Sequence, residues 1–466
     1  MMRCVSNPSP ENVGASRRPR PVPAAPATPR GALADTPLGA DGAPLRARPA
    51  WWAEAEAQGP EALARAVVRR VAEGTPWWGR RHEVDGVTLV ETLFAWQEDR
   101  VGPGRAAPAD ALDVVLHLNT LTDNHRAHLS PARMTRLGDS GWWASCLLLP
   151  ADVIVGYRIV ASAEALPEDL GTTRTGWKRL HDAGRPDPLN PHRIHDGFSR
   201  LSSVVYGPDA CLHPEWSGEP VPGPRAVETD LSAQVLGPDR GRRRVTLHVP
   251  AAGERPAAGA PGGGGRRLLV LLDGEHWRGN DVLSRLAGRL RHWDLLIVDA
   301  GPLPVRAAQL GDAGRATDLL ARCLEAAGAA GTGEVVVCGQ SLGALAAATA
   351  ALRRPDLCSG AVVQSGSFWQ GSGVRGQGEG ELLTWLREGG ARHLGEPGAR
   401  PRIVIQAGSH ERTNRETSRT VASLLEQAGV DVTYREVRGG HDYAWWRHGL
   451  SWALDLWEQA PSAASV

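Results

Sequence analysis

The sequence predicts an α/β fold with a smaller all-β domain on its N-terminal side. Three observations predict it. From about residue 229 onward, continuous apolar runs such as RRLLVLLDG, DLLIVDA, EVVVCGQS and RIVIQAG alternate with segments of helical period. Strands that are apolar on both faces and separated by helices belong to a parallel sheet covered on both sides. Between residues 84 and 160, VTLVETLFAW, ALDVVLHLNTL, WWASCLLLP and VIVGYRIV follow one another without a helical pattern between them, as in a β-sandwich. Residues 1–49 are rich in Pro, Ala, Arg and Gly and lack periodicity. They are expected to be a disordered leader, because they bury too little apolar surface to offset their ordering entropy. The expected division is therefore a leader over 1–49, a sandwich over 50–228 and an α/β domain over 229–466.

Order is expected to begin near Trp51 and Trp52, and PEALARAVVRRVAE (60–73) has the spacing of an amphipathic helix. After the sandwich strands, a polar, Pro-rich stretch with Trp177 and Asp187-Pro188-Leu189-Asn190 is expected to pack one domain on the other. Within 228–250, SAQVLG and RRRVTLHVP resume strand character, and AAGERPAAGAPGGGG (251–265) reads as a hairpin loop. Helices are expected at VLSRLAGRLR, ATDLLARCLEAAGA, LGALAAATAALRRP and TSRTVASLLEQAG. CSGAVVQSG and VTYREVRGGHD supply further strands.

Composition excludes several function classes. Lys and Arg number 52, against 52 Asp and Glu, so charge gives no reason to expect nucleic acid or anionic lipid as a partner. Cys4, Cys146, Cys211, Cys323, Cys338 and Cys358 show no metal-ligand spacing, and Cys146 and Cys338 sit in apolar runs as small hydrophobes. No apolar run reaches the roughly 18 residues of a membrane span, and the first residues lack the apolar core of a signal peptide. The expectation is a cytoplasmic protein with no metal, no cofactor, and no nucleic-acid or membrane partner.

The chemistry-bearing motif is Gly339-Gln340-Ser341-Leu342-Gly343, directly between the strand EVVVC and the helix LGALAAATAAL. A G-x-S-x-G in a strand-turn-helix frame holds its serine hydroxyl proud of the sheet edge, making Ser341 a candidate nucleophile. A helix N-terminus also favours developing negative charge there. His441, in the Gly-rich RGGHD loop after a late strand, has the chain position of the general base. The orienting carboxylate should follow RIVIQAG, where Glu411 stands, with Glu416 and Asp442 as rivals. The oxyanion hole would take the N–H of Leu342 and a second donor from the loop Gly274-Glu275-His276-Trp277. The fold class is thus an α/β-hydrolase domain with an N-terminal β-sandwich.

With these residues in place, the chain resembles the enterochelin (enterobactin) esterases within the esterase D group. The matching pieces are Leu272-Asp273-Gly274 with Trp277, the G-x-S-x-G, Gln364-Ser365-Gly366-Ser367 with Trp369, and Gly439-Gly440-His441-Asp442 with Trp446 and Arg447. A weaker likeness runs through the N-terminal domain in the LHLNTLTD strand and around Trp177. The resemblance implies a cytoplasmic esterase that opens the ester bonds of a ferric cyclic tri-catecholate siderophore, with a Glu acid in the loop that Glu411 occupies. It departs from the family's Arg-x-x-Glu-Leu run, which here reads Arg306-Ala307-Ala308-Gln309-Leu310. Arg306 is a candidate for meeting a catecholate or carbonyl oxygen, and Trp277, Trp369 and Trp446 are candidates for lining the site. Two other functions fit the same residues: an esterase for a feruloyl- or acetyl-type ester, and a non-catalytic siderophore binder.

Overall fold

The computed structural model describes residues 30–98, 111–198, 200–238, 241–254, 267–329, 333–374, 376–394 and 401–459. In the N-terminal part the strands are β1 (Trp77–Val84), β2 (Val87–Gln97), β3 (Asp113–Leu118), β4 (Thr135–Arg136), β5 (Trp142–Pro150), β6 (Ile154–Ser162), β7 (Arg193–His195) and β8 (Leu201–Tyr206). They form two four-stranded antiparallel sheets, ordered β1-β2-β5-β4 and β3-β6-β8-β7. Phe94, Trp96, Trp143 and Leu147 of the first sheet pack on Leu116, Val155, Tyr157 and Ile159 of the second, which is the sandwich core. The amphipathic segment forms the helix Pro60–Arg70, whose Leu63, Ala64 and Val67 cover the outer face of the first sheet at Leu93, Ala95 and Ala144.

The C-terminal part adds β9 (Ala226–Asp230), β10 (Val245–Pro250), β11 (Arg267–Leu272), β12 (Trp293–Val298), β13 (Glu334–Gln340), β14 (Gly360–Gln364), β15 (Arg402–Gly408) and β16 (Asp431–Val437). The sheet order is β16-β15-β14-β13-β11-β12-β10-β9, parallel from β16 through β12, with β10 and β9 antiparallel at the edge. One layer of core lies under the helices Ala313–Ala326, Leu342–Arg353 and Arg412–Gln427. The other lies under the helix Tyr443–Gln459 and the segment around Trp277, and includes Ile154, Ile194 and Val204 from the sandwich. Two-sided cover is why these strands read as unbroken apolar runs.

Four expectations need correction. Residues 30–49 are an ordered strap, not a disordered leader; residues 1–29 lie outside the described residues. The Leu33 N–H donates to Glu436 Oε2 at 2.9 Å, and Asp35 pairs with Arg415 at 2.5 Å. Farther along, the Leu148 N–H donates to the Leu45 carbonyl at 2.8 Å. The strap thus joins β16 to β5 through partners a hundred or more positions away, which no local pattern reveals. His125 Nδ1, 2.8 Å from the Asp41 carbonyl oxygen, helps seat it.

The segment SAQVL is a helix, Ser232–Leu236, because Asp230 Oδ1 accepts from both the Ser232 N–H and its hydroxyl, turning the chain at the end of β9. The hairpin expected around 251–265 does not form. β10 pairs with β9 and β12, and β11 with β12 and β13; residues 255–266 lie outside the described residues. Lastly, Trp177 and the 187–190 turn serve the sandwich itself. Trp177 sits on the helix Arg174–Ala183 and packs on Val115, Leu129 and Val160. Asp187 and Asn190 bond the Tyr157 hydroxyl at 2.7 and 3.1 Å.

Candidate active site

The carboxyl ends of adjacent strands β13, β14, β15 and β16 lead directly into Ser341, Ser365, the Glu411 loop and the His441 loop. Ser341 has φ 59° and ψ −116°, a left-handed conformation that L-residues avoid at a cost of about 1–3 kcal/mol. Two neighbouring strand ends share the positive φ: Asp273 after β11 has φ 58° and Ser365 after β14 has φ 54°. Glycine makes the elbow possible. A Cβ on Gly339 would stand 2.1 Å from the Gly343 carbonyl oxygen, and one on Gly343 would stand 2.9 Å from Asp273 Oδ2.

From the elbow, bonds run across the sheet edge. The Ser341 N–H donates to the Gln364 carbonyl at 3.0 Å, and the Ser367 N–H donates to the Ser341 carbonyl at 3.1 Å. Ser341 Oγ lies 3.1 Å from Ser367 Oγ, and no hydrogen bond joins it to His441 among the described residues. His441 Nδ1 is 2.7 Å from Glu411 Oε2. The Glu411 side chain is 2% exposed, and its oxygens are fully partnered. Oε1 accepts from the Ser365 hydroxyl at 2.5 Å and the Gly408 N–H at 3.0 Å; Oε2 also accepts from Asn414 Nδ2 at 3.2 Å.

Sequence reasoning did not find Ser365 or Asn414 as supports. Asn414 stands three residues beyond Glu411 on the same helical turn, a spacing that could have flagged it.

The rival carboxylates are placed elsewhere. Glu416 is exposed on the helix Arg412–Gln427. Asp442 is buried and accepts from the Gly156 N–H at 2.9 Å and the Ala444 N–H at 2.7 Å; burial pushes its carboxyl up to about 6.

Known relatives share the order of the two parts, sandwich first and hydrolase sheet second. The family model for the N-terminal domain of enterochelin esterases matches residues 92–216, and the model for putative esterases matches residues 317–455. The iron(III) enterobactin esterase of Escherichia coli O6:H1 is 28% identical over 403 residues, spanning 82% of this chain and 96% of that protein. The chain belongs to the enterochelin esterase family. It is accordingly a carboxylic ester hydrolase. The crystal structure of the Shigella flexneri enterobactin esterase in the presence of enterobactin is similar over 83% of this chain and 97% of that one, with TM-score 0.66 and 27% identity. The iron(III) salmochelin esterase of Escherichia coli O6:H1 is 26% identical, over 84% of this chain and 97% of that protein.

Within this family member the remaining candidates divide. Trp369 is half-buried, and its Nε1 donates to Asn414 Oδ1 at 3.0 Å, beside the imidazole. Trp446 is 3% exposed, so it backs the site more than it lines it. Its ring stands edge-on to His441 at 4.9 Å, and its Nε1 donates to Ser365 Oγ at 2.8 Å.

Trp277 is fully buried between Trp216 and Tyr443, so the expectation that it lines the site is corrected. Its place in the core follows from the short helix Gly274–Gly279, which carries it inward under the sheet. Arg306 is not free for a ligand either. Its guanidinium grips Asp273 at 2.5 and 2.7 Å and donates to the Gln340 carbonyl at 3.1 Å. Burial works against that charge, but Asp273 more than offsets it and raises the pKa. Arg306 thereby ties the β11 elbow to the β13 elbow. Gln309 accepts from Arg243. Of the oxyanion candidates, Leu342 is the first residue of its helix, while Glu275 accepts from the Ala300 and Gly301 N–H groups, each at 3.0 Å. Gly274 packs where a Cβ would stand 2.6 Å from Ile297.

Among the described residues, Asp41, His125 and His128 bring ligand-capable atoms within 4.8 Å of one another. No helix there is long and apolar enough to cross a membrane.

Proposed function

We propose that this esterase opens the ester bonds of a catecholate siderophore of the enterobactin type, with iron arriving as part of the substrate. The observation that carries the mechanism is the 2.7 Å contact between Glu411 and His441, set at the same sheet edge as a strained Ser341. Glu411 fixes the imidazole with Nδ1 protonated and leaves Nε2 to act as base.

Ser341 Oγ attacks the ester carbonyl carbon as His441 takes its proton. The carbonyl electrons collapse back, the C–O bond to the alcohol breaks, and His441 returns the proton to the leaving oxygen. Water then releases the acyl group by the same route. The hydroxyl must leave Ser367 for the imidazole when substrate binds, a tightening common between free and bound enzymes. The Leu342 N–H and a backbone N–H of Gly274 or Glu275 receive the oxyanion, and losing one such donor costs about 10²–10³ in kcat. Trp369 is the aromatic surface for a catechol ring.

The reaction takes place in the cytoplasm on this reading, which the five unpaired cysteines among the described residues support. No cofactor is required by the chemistry.

The test is incubation with ferric and iron-free cyclic tri-catecholate esters, following products by mass. Ring opening by the wild-type protein and none by Ser341→Ala, whose kcat should fall on the order of 10⁶-fold, is the expected result. Turnover of simple aryl esters with the tri-catecholates left intact would overturn the substrate. Failure of Ser341 to take a fluorophosphonate label would overturn the nucleophile.

A further inference from the structure

His441 follows two glycines whose carbonyls accept from partners in the hydrolase part, the His410 N–H at 3.1 Å and Trp445 Nε1 at 2.6 Å, whereas the peptide groups of His441 itself turn toward the sandwich. Both of its backbone polar groups are satisfied from the sandwich. Its N–H donates to Thr120 Oγ1 at 2.8 Å, and its carbonyl accepts from Asn119 Nδ2 at 3.1 Å. The same Asn119 amide donates to Asp442 Oδ2 at 3.1 Å.

Around this pair the sandwich grips both loops. The Ile154 N–H donates to the Arg438 carbonyl at 2.7 Å, and Asn124 Nδ2 donates to the His410 carbonyl, next to Glu411, at 2.7 Å. The approach is close because Gly440 has no side chain: a Cβ there would lie 2.5 Å from the Asn119 carbonyl oxygen and 2.7 Å from Thr120 Cβ. Thr120 itself has φ 65°. A β-branched residue in that region is strained, and such strain persists where surrounding contacts over-determine it.

We infer that Thr120 and Asn119 are positioning residues for the general base, so that the sandwich completes the active site of the hydrolase sheet. The inference rests on the reading of His441 as that base. A hydroxyl acceptor and an amide donor hold the two ends of one peptide segment, which fixes where the imidazole starts and how its Nδ1 meets Glu411. Displacing a catalytic group by about 1 Å can cost 10²-fold in rate.

Thr120→Val keeps the shape and removes the acceptor. It should lower kcat on the tri-catecholate ester by about 10- to 100-fold while leaving KM within about twofold. Thr120→Ser restores the hydroxyl and should return kcat to within about threefold of wild type. Tyr206→Phe is the interface control: it removes the hydroxyl that accepts a hydrogen bond from Arg447, a contact that touches neither loop, and it should leave kcat unchanged. A Thr120→Val enzyme with wild-type kcat, or one whose loss is not recovered in Thr120→Ser, overturns the clamp. Fluorophosphonate labelling separates the two ideas. If wild type and Ser341→Ala both stay unlabelled, the triad reading and the clamp fall together; if wild type labels and Thr120→Val labels equally fast, only the clamp falls.

Discussion

Glu411 Oε2 stands 2.7 Å from His441 Nδ1 although thirty residues, a helix and a strand separate them in the chain. The carboxylate is so fully partnered that it has one orientation, and the imidazole inherits it. Replacing it by Glu411→Gln keeps the shape but presents an amide to Nδ1, favouring the wrong tautomer. The expected loss is about 10⁴-fold in kcat, measured on an activated aryl ester. A loss below tenfold would mean that another group orients His441.

Trp446 bears on that same carboxylate through Ser365. Trp446→Phe keeps an aromatic edge on His441 but removes the donor to Ser365 Oγ. A neutral hydrogen bond is worth about 1 kcal/mol, so kcat should fall by about fivefold with KM little changed. A large rise in KM instead would show that the indole touches substrate.

Trp277 gives the opposite expectation. Buried in the core on the far side of its short helix, it should matter for stability and not for recognition. Trp277→Ala should lower the free energy of unfolding by about 3–5 kcal/mol, read from urea titration. A variant of unchanged stability and raised KM would return Trp277 to the site.

Acid should destabilise the fold through two buried imidazoles. Burial, with help from Arg438 and Arg415, pushes His410 down to about 3; burial, with help from Arg447 and His213, pushes His448 down to about 2. In the unfolded chain both titrate near about 6.5. Below that pH the unfolded state holds more protons than the folded one, so stability is complete above pH 6.5 and is lost as pH falls toward the folded values. Asp442, raised to about 6, partly opposes this from about pH 4 to 6, where the folded chain holds the extra proton. The His448→Gln variant keeps an acceptor for the His213 N–H, which donates to His448 Nδ1 at 2.9 Å. Its unfolding free energy should change less steeply between pH 6 and 4, by about 1.4 kcal/mol per pH unit. Parallel curves for variant and wild type would contradict the account.

The elements legible in advance were those whose signal is local. The elbow at Ser341 was readable because a strand, two glycines and an alanine-rich helix are contiguous, and the parallel strands were readable because burial on both faces leaves no polar alternation. The strap was not, since Leu33 meets Glu436 across the whole chain. Ser232–Leu236 misled because a short apolar stretch fits a strand or a single helical turn equally well, and Asp230 decides between them. Trp277 misled because standing beside a motif in sequence does not say which side of the sheet a helix turns it toward.

By itself the chain's order of residues determined which groups could do acyl transfer and that they sit at strand ends, because hydrophobic period and turn chemistry act over a few residues. Only the folded molecule decided which carboxylate reaches His441, that Arg306 is engaged by Asp273, and that Asn119 and Thr120 grip the His441 loop. Those are meetings between distant segments, fixed when separately covered layers dock and their buried polar groups must find partners.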